Sequence, residues 1–120
     1  IKHITVQGGS NIIKLRGRSS FQSPAYNAVK MIEAAMGGEK FTLPAGCYAD
    51  IPELGFKDVM MALPTTIDKT GVHYTTPTGT KEEMADLQKS YEHLCNMRQE
   101  VIDLGIIPPV AEWNKENPNL

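Results

Sequence analysis

The sequence lacks the features that mark several large classes of protein. Its 120 residues include only two cysteines, Cys47 and Cys95, which are too few for a disulfide scaffold. The longest apolar runs, such as "VMMAL" at 59–63, are far too short to span a bilayer. A net charge of −2 with scattered basic residues gives no electrostatic reason to expect nucleic acid or a membrane as partner. What remains is one globular domain with a modest core.

The histidines and cysteines do not form a metal-binding pattern. His93 and Cys95 are two positions apart on a predicted helix, roughly 200° around its axis, so they cannot share a metal ion. His73 and Cys47 fall in separate predicted strands, and neither CxxC nor HxxxH spacing occurs. We therefore expect no metal. Reduced thiols in the cytoplasm are the default, although one disulfide between the two cysteines stays open.

Motifs of the common enzyme chemistries are also missing. No GxSxG is present, and "GGS" and "RGRSS" match neither the P-loop nor the dinucleotide fingerprint. The adjacent Glu82 and Glu83 are explained most simply as acidic residues in the first turn of a helix, where they complement its dipole. The residues alone therefore predict no catalytic group in this chain.

Residues 8–17 carry the signals of a short helix, with Ser10 as its N-cap and Gly17 as its stop. The preceding "IKHITV" alternates between apolar and polar residues. The chain does not open with Met and shows no signal-peptide pattern. We expect further sequence upstream, and the predicted helix could be the last turns of a longer one.

Residues 19–38 fit a longer helix. Ser23 before Pro24 matches an N-cap followed by a first-turn proline, although Ser19 or Ser20 could cap instead. Two glycines follow its last apolar residue and predict its end. The apolar residues at helical spacing are Ala25, Val29, Ile32 and Met36.

Strands are predicted next. Residues 39–50 are interrupted by Pro44, which favours an edge or bent strand. Residues 58–68 are apolar on both faces, as in a buried strand. The turn "DKTG" then leads into "VHYTT" at 72–76, which predicts a hairpin.

Residues 80–105 give the strongest helix signal in the chain. Thr80 and Glu83 have the spacing of a capping box, and Gly105 supplies a stop. The polar face is long, so we expect this helix to lie on the surface of a sheet. The apolar stripe consists of Met84, Leu87, Tyr91, Leu94, Val101 and Ile102.

The remaining segment, 106–120, reads as a tail. Its adjacent prolines argue against helix, while Trp113 and nearby apolar residues indicate that it packs against something. Helices and strands are segregated along the chain, so the predicted class is α+β.

The run "KLRGRSSFQSP" at 14–24 combines arginines and serines at a predicted helix start. Backbone N–H groups and the helix dipole can bind an anion there, and Arg can grip a carboxylate. A capped corner between two helices with solvated arginines is the commoner explanation of these residue types. Both interpretations stay open from the residues alone.

In its order of motifs, nearly the whole chain up to Gly105 resembles the C-terminal half of the lactate/malate dehydrogenase family. That order is a helix ending in K-L-x-G, a Thr or Ser corner, a long helix, a P-x-x-x-Y strand, a K-x-G-V turn and a long last helix. The matching stretches are Lys14 to Gly17, Ser19 with Ser20, Pro24 to Met36, Pro44 to Tyr48, Lys69 to Val72, and 80–105. No single motif is specific, but their order and spacing together are. The residues within these stretches are most similar to those of bacterial malate-type members.

The resemblance implies an α+β fold like the family's C-terminal domain, with helices packed on an antiparallel sheet. Residues 1–120 would be the substrate-side domain, and the NAD-binding Rossmann domain would be absent from this chain. The catalytic histidine, its aspartate and the substrate arginines would lie upstream, so this chain would contain no catalytic residue and be inactive alone. His3 lacks the family's G-x-H-G-D context.

For the intact enzyme, the resemblance implies hydride transfer between NAD and malate or oxaloacetate, and assembly into a homo-oligomer. The family's corner Thr or Ser, which lies near the substrate and the nicotinamide, corresponds to Ser19, or to Ser20 if the corner differs in length. Both are therefore candidate substrate-binding residues. Arg16 and Arg18 replace glycines that are common in malate-type members.

Two alternatives stay open. The first is a small non-catalytic binding or assembly module, favoured by the missing catalytic groups and the apolar tail. The second is a lactate-type dehydrogenase, or a related glycosidase, on the same scaffold. The residues that set substrate specificity in this family lie upstream, so the preference for malate rests on resemblance.

Overall fold

The computed structural model describes residues 2–118 and shows an α+β chain, as predicted. Helices come first, short antiparallel strands follow, and a long helix comes after them. The elements are α1 Lys2–Arg16, α2 Gln22–Ala35, β1 Ala45–Ile51, a 3₁₀ turn Pro52–Leu54, β2 Phe56–Leu63, β3 Thr65–Asp68, β4 Gly71–Tyr74, α3 Lys81–Asp103 and α4 Val110–Glu116.

The chain divides into two units. The first comprises Ile1–Phe41 and Ile67–Gly71, and the second comprises Thr42–Thr66 and Val72–Leu120. The first unit therefore holds α1 and α2, while the second holds the β1–β2 hairpin, α3 and α4.

Helix α1 begins at Lys2, so residues 8–17 are the last turns of a longer helix, as the sequence analysis allowed. The N-cap expected at Ser10 is wrong, because Ser10 lies within α1, and the alternating segment from Lys2 to Val6 is helical too. A strand needs a paired neighbour, and a six-residue alternation does not outweigh the helix that continues from it. The predicted stop is confirmed: Gly17 has φ of 71° and its N–H donates to the carbonyl of Ile13 at 2.8 Å.

Helix α2 begins at Gln22, with Phe21 as an N-cap that makes no side-chain capping bond. The expected caps at Ser23, Ser19 and Ser20 are therefore wrong. Pro24 occupies the third helical position and has no N–H, so one of the two donors that a cap would satisfy does not exist here.

The apolar stripe expected on α2 is not its buried side. Ala34 is fully buried, whereas Val29 and Ile32 are 61% and 59% exposed and Met36 is 84% exposed. Several apolar side chains of α1 are exposed too, Leu15 at 87%. The first unit thus displays apolar helix surface that its own residues do not cover.

Strands β1 and β2 form an antiparallel hairpin that pairs Ala45 with Leu63 and Ile51 with Phe56. Pro44 precedes β1, in keeping with the predicted interruption. The register shifts where Asp50 pairs with Lys57, which leaves Asp58 as an extra residue in β2. Asp58 has φ of 59°, the left-handed conformation typical of a β-bulge.

The sequence predicted that the strand within 58–68 is buried on both faces, and for β2 this prediction is wrong. Val59, Met61 and Leu63 are buried, but Met60 is 60% exposed. In a two-stranded hairpin one face packs on the core and the other stays partly open. Pro64 then separates β2 from β3, because a proline cannot donate to a strand ladder.

Helix α3 agrees with the prediction. The Thr80 hydroxyl accepts from the N–H of Glu83 at 3.3 Å, and the Glu83 carboxylate accepts from the N–H of Thr80 at 2.8 Å. The helix packs on β2, and the ring of Tyr91 stacks on Phe56 with centroids 4.3 Å apart. The buried cluster beneath consists of Cys47, Ala49, Ile51, Phe56, Val59, Met61 and Leu63.

The segment after Gly105 contains a helix, α4, so the expected irregular tail is wrong in part. Both prolines precede α4, with Pro109 at its N-cap, and a proline is well tolerated at a helix start. The Trp113 indole N–H donates to the carbonyl of Pro108 at 2.8 Å, which fixes the first turn.

The predicted hairpin after residue 64 is present as the pair β3–β4. At its turn the N–H of Thr70 donates to the Asp68 carboxylate at 2.8 Å. The Thr70 hydroxyl, the Thr70 N–H and the ammonium of Lys40 all hold the pKa of Asp68 well below its usual range. These contacts stabilise the turn between β3 and β4, so we assign them a structural role.

Candidate functional site

The corner between α1 and α2, residues 17–21, carries both predicted site residues. Ser19 is exposed and Ser20 is half-buried. The left-handed Gly17 ends α1, and α2 begins after the five residues 17–21. Ser19 and Ser20 thus lie on a short connection between two helices, and their role in substrate binding stays a prediction.

Arg16, the last residue of α1, and Arg18 of the corner lie around one aromatic ring. The guanidinium carbons of Arg16 and Arg18 lie 5.8 Å and 5.1 Å from the ring centroid of Phe21, within cation–π distance. Arg16 also donates to the side-chain oxygen of Gln22 at 3.1 Å. The ring is 52% exposed, so the corner presents cations, an apolar face and hydroxyls to the surroundings.

The corner contains no side chain suited to proton transfer. Residues 17–21 contain no carboxylate, imidazole or thiol, and His3 lies in the first turn of α1, at the far end of that helix. The first N–H groups of α2 have no intrahelical acceptor by helix geometry, and they face the corner without a capping side chain. Such a corner can orient a polar or anionic molecule.

A polar cluster in the second unit escaped the sequence analysis. The Tyr48 hydroxyl donates to the Asp58 carboxylate at 2.8 Å, and Arg98 Nη1 donates to the Asp58 carbonyl at 2.7 Å. Burial, followed by the bond to Asp58, raises the pKa of Tyr48 to about 12. The available signal was the position of Arg98, which continues the apolar stripe four residues after Leu94.

Two further tyrosines bracket the irregular pair of the hairpin. The Tyr74 hydroxyl donates to the Asp50 carbonyl at 2.9 Å and accepts from its N–H at 3.2 Å. The Tyr91 hydroxyl accepts from the N–H of Lys57 at 3.2 Å and donates to its carbonyl at 3.3 Å. These bonds satisfy backbone groups where the ladder is disturbed, so both tyrosines stabilise the fold.

The cysteines are both free thiols. Buried Cys47 lies with its Sγ 3.1 Å from the Thr65 hydroxyl, and Cys95 is half-buried on α3. Within residues 2–118, no three His, Cys, Asp or Glu side chains are grouped as a metal ion would need. No helix in the same range has the length and hydropathy to cross a membrane.

The architecture defines an α+β domain in which a long helix packs on an antiparallel hairpin. Residues 1–104 match the lactate/malate dehydrogenase, alpha/beta C-terminal domain. This chain belongs to that family, as its motif order predicted. The segment after residue 104, which includes α4, lies beyond the match.

Curated relatives of the chain are malate dehydrogenases. The protein of Sorangium cellulosum is 36% identical over 87 residues, which cover 72% of this chain and 28% of the relative. That of Bacillus israeli is 33% identical over 100 residues, or 82% of this chain and 32% of the relative. The chain thus spans about a third of the length of these proteins.

A solved structure agrees. Malate dehydrogenase from Salinibacter ruber superposes with a TM-score of 0.70 at 28% identity, over 85% of this chain and 34% of that one. The predicted fold, helices on antiparallel strands as in the family's C-terminal domain, is confirmed.

Proposed function

We propose that this chain is the substrate-side C-terminal domain of an NAD-dependent malate dehydrogenase, which interconverts malate and oxaloacetate by hydride transfer. The observation that supports it is the match over residues 1–104, together with relatives that are malate dehydrogenases. In this proposal an NAD-binding domain precedes the chain in the intact protein, and the whole of 1–120 belongs to the substrate side.

Ser19, and Ser20 beside it, line the substrate pocket of the intact enzyme. A neutral hydroxyl suits that position because it can hydrogen-bond the substrate or a water molecule without competing for the carboxylates with cationic side chains. Both serines lie on the corner between α1 and α2. Arg16 and Arg18 stack near Phe21 and contribute positive charge at the rim of that corner.

The residues of this chain could line one side of an NAD site but could not bind the whole cofactor. The corner offers hydroxyls and an aromatic ring to a nicotinamide, but the sequence has no glycine-rich turn after a strand to cradle the pyrophosphate. When bound in the intact enzyme, NAD accepts or donates the hydride. The chain's contribution is to position the substrate, and its isolated form is inactive because the proton-transfer group lies elsewhere.

Two further proposals follow from the same assignment. The intact enzyme is a cytoplasmic homo-oligomer, for which the two free thiols and the exposed apolar surface of α1 and α2 are the support. Light scattering of the full-length protein tests whether it is a homo-oligomer, and a monomer at high concentration would contradict that proposal.

The deciding experiment compares the full-length protein with this chain alone. NADH oxidation is followed at 340 nm with oxaloacetate and, in parallel, with pyruvate. We expect turnover of oxaloacetate by the full-length protein and none by the chain. Preference for pyruvate would assign the lactate-type activity instead, and no turnover of either 2-oxo acid would overturn the proposal.

A further inference from the structure

The second unit contains a cavity of about 260 Å³ that the proposed dehydrogenase activity does not use. Its wall is formed by α3, by the open side of β2 and by the segment after Gly105. The volume is slightly below the roughly 300–1,000 Å³ typical of small-molecule sites, so only a compact ligand would fit. The apolar wall residues are Met60, Leu94, Met97, Val101, Ile107 and Trp113.

One side of this cavity carries a cation that is incompletely paired. Arg98 Nη1 donates to the backbone carbonyl of Asp58, but Arg98 Nε is buried and has no hydrogen-bond partner. None of the ion pairs found among residues 2–118 involves Arg98. The carboxylate of Asp58 accepts from the Tyr48 hydroxyl instead. A buried donor without an acceptor is unfavourable, and more so on a charged group.

We propose that this cavity binds a small amphiphilic carboxylate, whose apolar body lies against α3 and Trp113 and whose carboxylate approaches Arg98. Tyr48 and Asp58 also line the cavity, but their side chains bond to each other, whereas Arg98 keeps a donor without a partner. An apolar wall with one unsatisfied cationic donor is complementary to an apolar molecule that carries an anionic group. A carboxylate accepts from a guanidinium in a charge-assisted bond, which an alcohol or an amine cannot match.

The adaptable part of the wall is its mouth. Met60 is 60% exposed and Met97 is 49% exposed, and methionine side chains rearrange readily around a ligand. A small shift of these flexible neighbours would give an acceptor access to Arg98. The flexible methionines let the cavity adapt to an aliphatic body, and its volume of about 260 Å³ limits that body to a short one.

Most of the cavity wall lies within residues 1–104, and Ile107 and Trp113 add the segment beyond the end of the family match. None of the wall residues belongs to the corner at 17–21 on which the proposed function rests. The inference therefore goes beyond the proposed dehydrogenase function, and the failure of one leaves the other standing. It also gives the Trp113 side chain a second role besides fixing the start of α4.

Trp113 supplies the probe, because it is the only tryptophan of the 120 residues. Its emission is recorded while this chain is titrated with octanoate, with 1-octanol as the neutral match, octylammonium as the cationic match and acetate as the head group alone. We expect a saturable change with octanoate. Binding of 1-octanol and octylammonium should be weaker by roughly tenfold or more, because neither can accept the charge-assisted bond from Arg98. Acetate should also bind more weakly, because it lacks the apolar body.

Three variants locate the carboxylate. Arg98→Gln should weaken octanoate about tenfold or more and leave 1-octanol unchanged, whereas Arg98→Lys should retain part of the preference. Lys89→Gln removes an exposed cation elsewhere on α3 and should change nothing. Far-UV circular dichroism checks the fold of each variant, and the wild-type comparison of octanoate with 1-octanol stands without them.

Three results would overturn the proposal. These are no saturable response to octanoate, equal binding of octanoate and 1-octanol, or Trp113 emission that changes with protein concentration in the absence of ligand. The last would assign the cavity to a second copy of the chain.

Discussion

The Tyr48 hydroxyl donates to the carboxylate of Asp58 across the hairpin, at the one position where β2 contains an extra residue. Asp58 has a positive φ, which is unfavourable for a residue with a Cβ, although aspartate tolerates it better than most. The bonds from Tyr48 and from Arg98 to the same residue hold that conformation in place. The bulge is therefore stabilised from the neighbouring strand and from α3.

Alkaline titration tests this pair. Tyr48 has a folded-state pKa of about 12, above the unfolded value of about 10. Its contribution to stability is complete below pH 10 and is lost as the pH rises from about 10 to about 12. Burial also raises the pKa of Tyr91, so tyrosinate absorbance should show a late step that Tyr48→Phe reduces rather than abolishes. If the variant keeps the full late step, the assignment to Tyr48 is wrong.

The capping box gives a second prediction. Thr80→Ala removes the hydroxyl that accepts from Glu83 N–H, and should lower the free energy of unfolding by about 1 kcal/mol. Ser90→Ala, on the exposed side of the same helix, is the control and should change it by less than about 0.5 kcal/mol. Urea denaturation of both variants measures the difference, and equal effects would mean that the cap does not stabilise α3.

The capping box was predictable because Thr80 and Glu83 interact within one turn, so the sequence contains the whole motif. Ser10 and Ser23 have the right residue type but the wrong surroundings. Ser10 lies in the middle of α1. Ser23 lies inside α2, next to Pro24, which has no backbone N–H. A cap depends on where the helix begins, which residue type alone does not determine.

The polar cluster was harder to predict because its members come from three elements. Tyr48, Asp58 and Arg98 meet only after the hairpin pairs and α3 packs on it, at separations of 10 and 40 residues. The position of Ser19 and Ser20 between two helices, in contrast, was predictable from motif order, while their role at the substrate stays a prediction. Features that follow from the order of motifs along the chain were therefore predictable. The Tyr48–Asp58–Arg98 cluster was not, because it depends on the register of one β-bulge.

The stacked pair Phe56 and Tyr91 should dominate the stability of the second unit. Phe56 is 2% exposed and lies in the buried cluster, so Phe56→Ala should reduce the free energy of unfolding by about 3–5 kcal/mol. Phe21→Ala, at a ring that is 52% exposed, should reduce it by about 1 kcal/mol or less. Similar losses, measured by thermal or urea unfolding, would place the core elsewhere.

The two thiols should react at different rates. Cys47 is 5% exposed and contacts Thr65, whereas Cys95 is half-buried on α3. In native buffer we expect one thiol to react with a coloured disulfide reagent well before the other, and Cys95→Ser to remove the faster phase. Cys47→Ser should preserve that phase. A faster phase that survives Cys95→Ser would contradict the burial of Cys47.

The corner serines give the prediction that bears most directly on function. In the full-length protein, Ser19→Ala should lower kcat/KM for oxaloacetate roughly 2- to 10-fold, the effect of losing one hydrogen bond to the substrate. Ser20→Ala made in parallel decides which of the two serines contacts it. Ser10→Ala, exposed on α1, is the control and should retain full activity. Steady-state kinetics distinguish the three variants. If Ser19→Ala and Ser20→Ala both match the control, the corner does not line the substrate pocket.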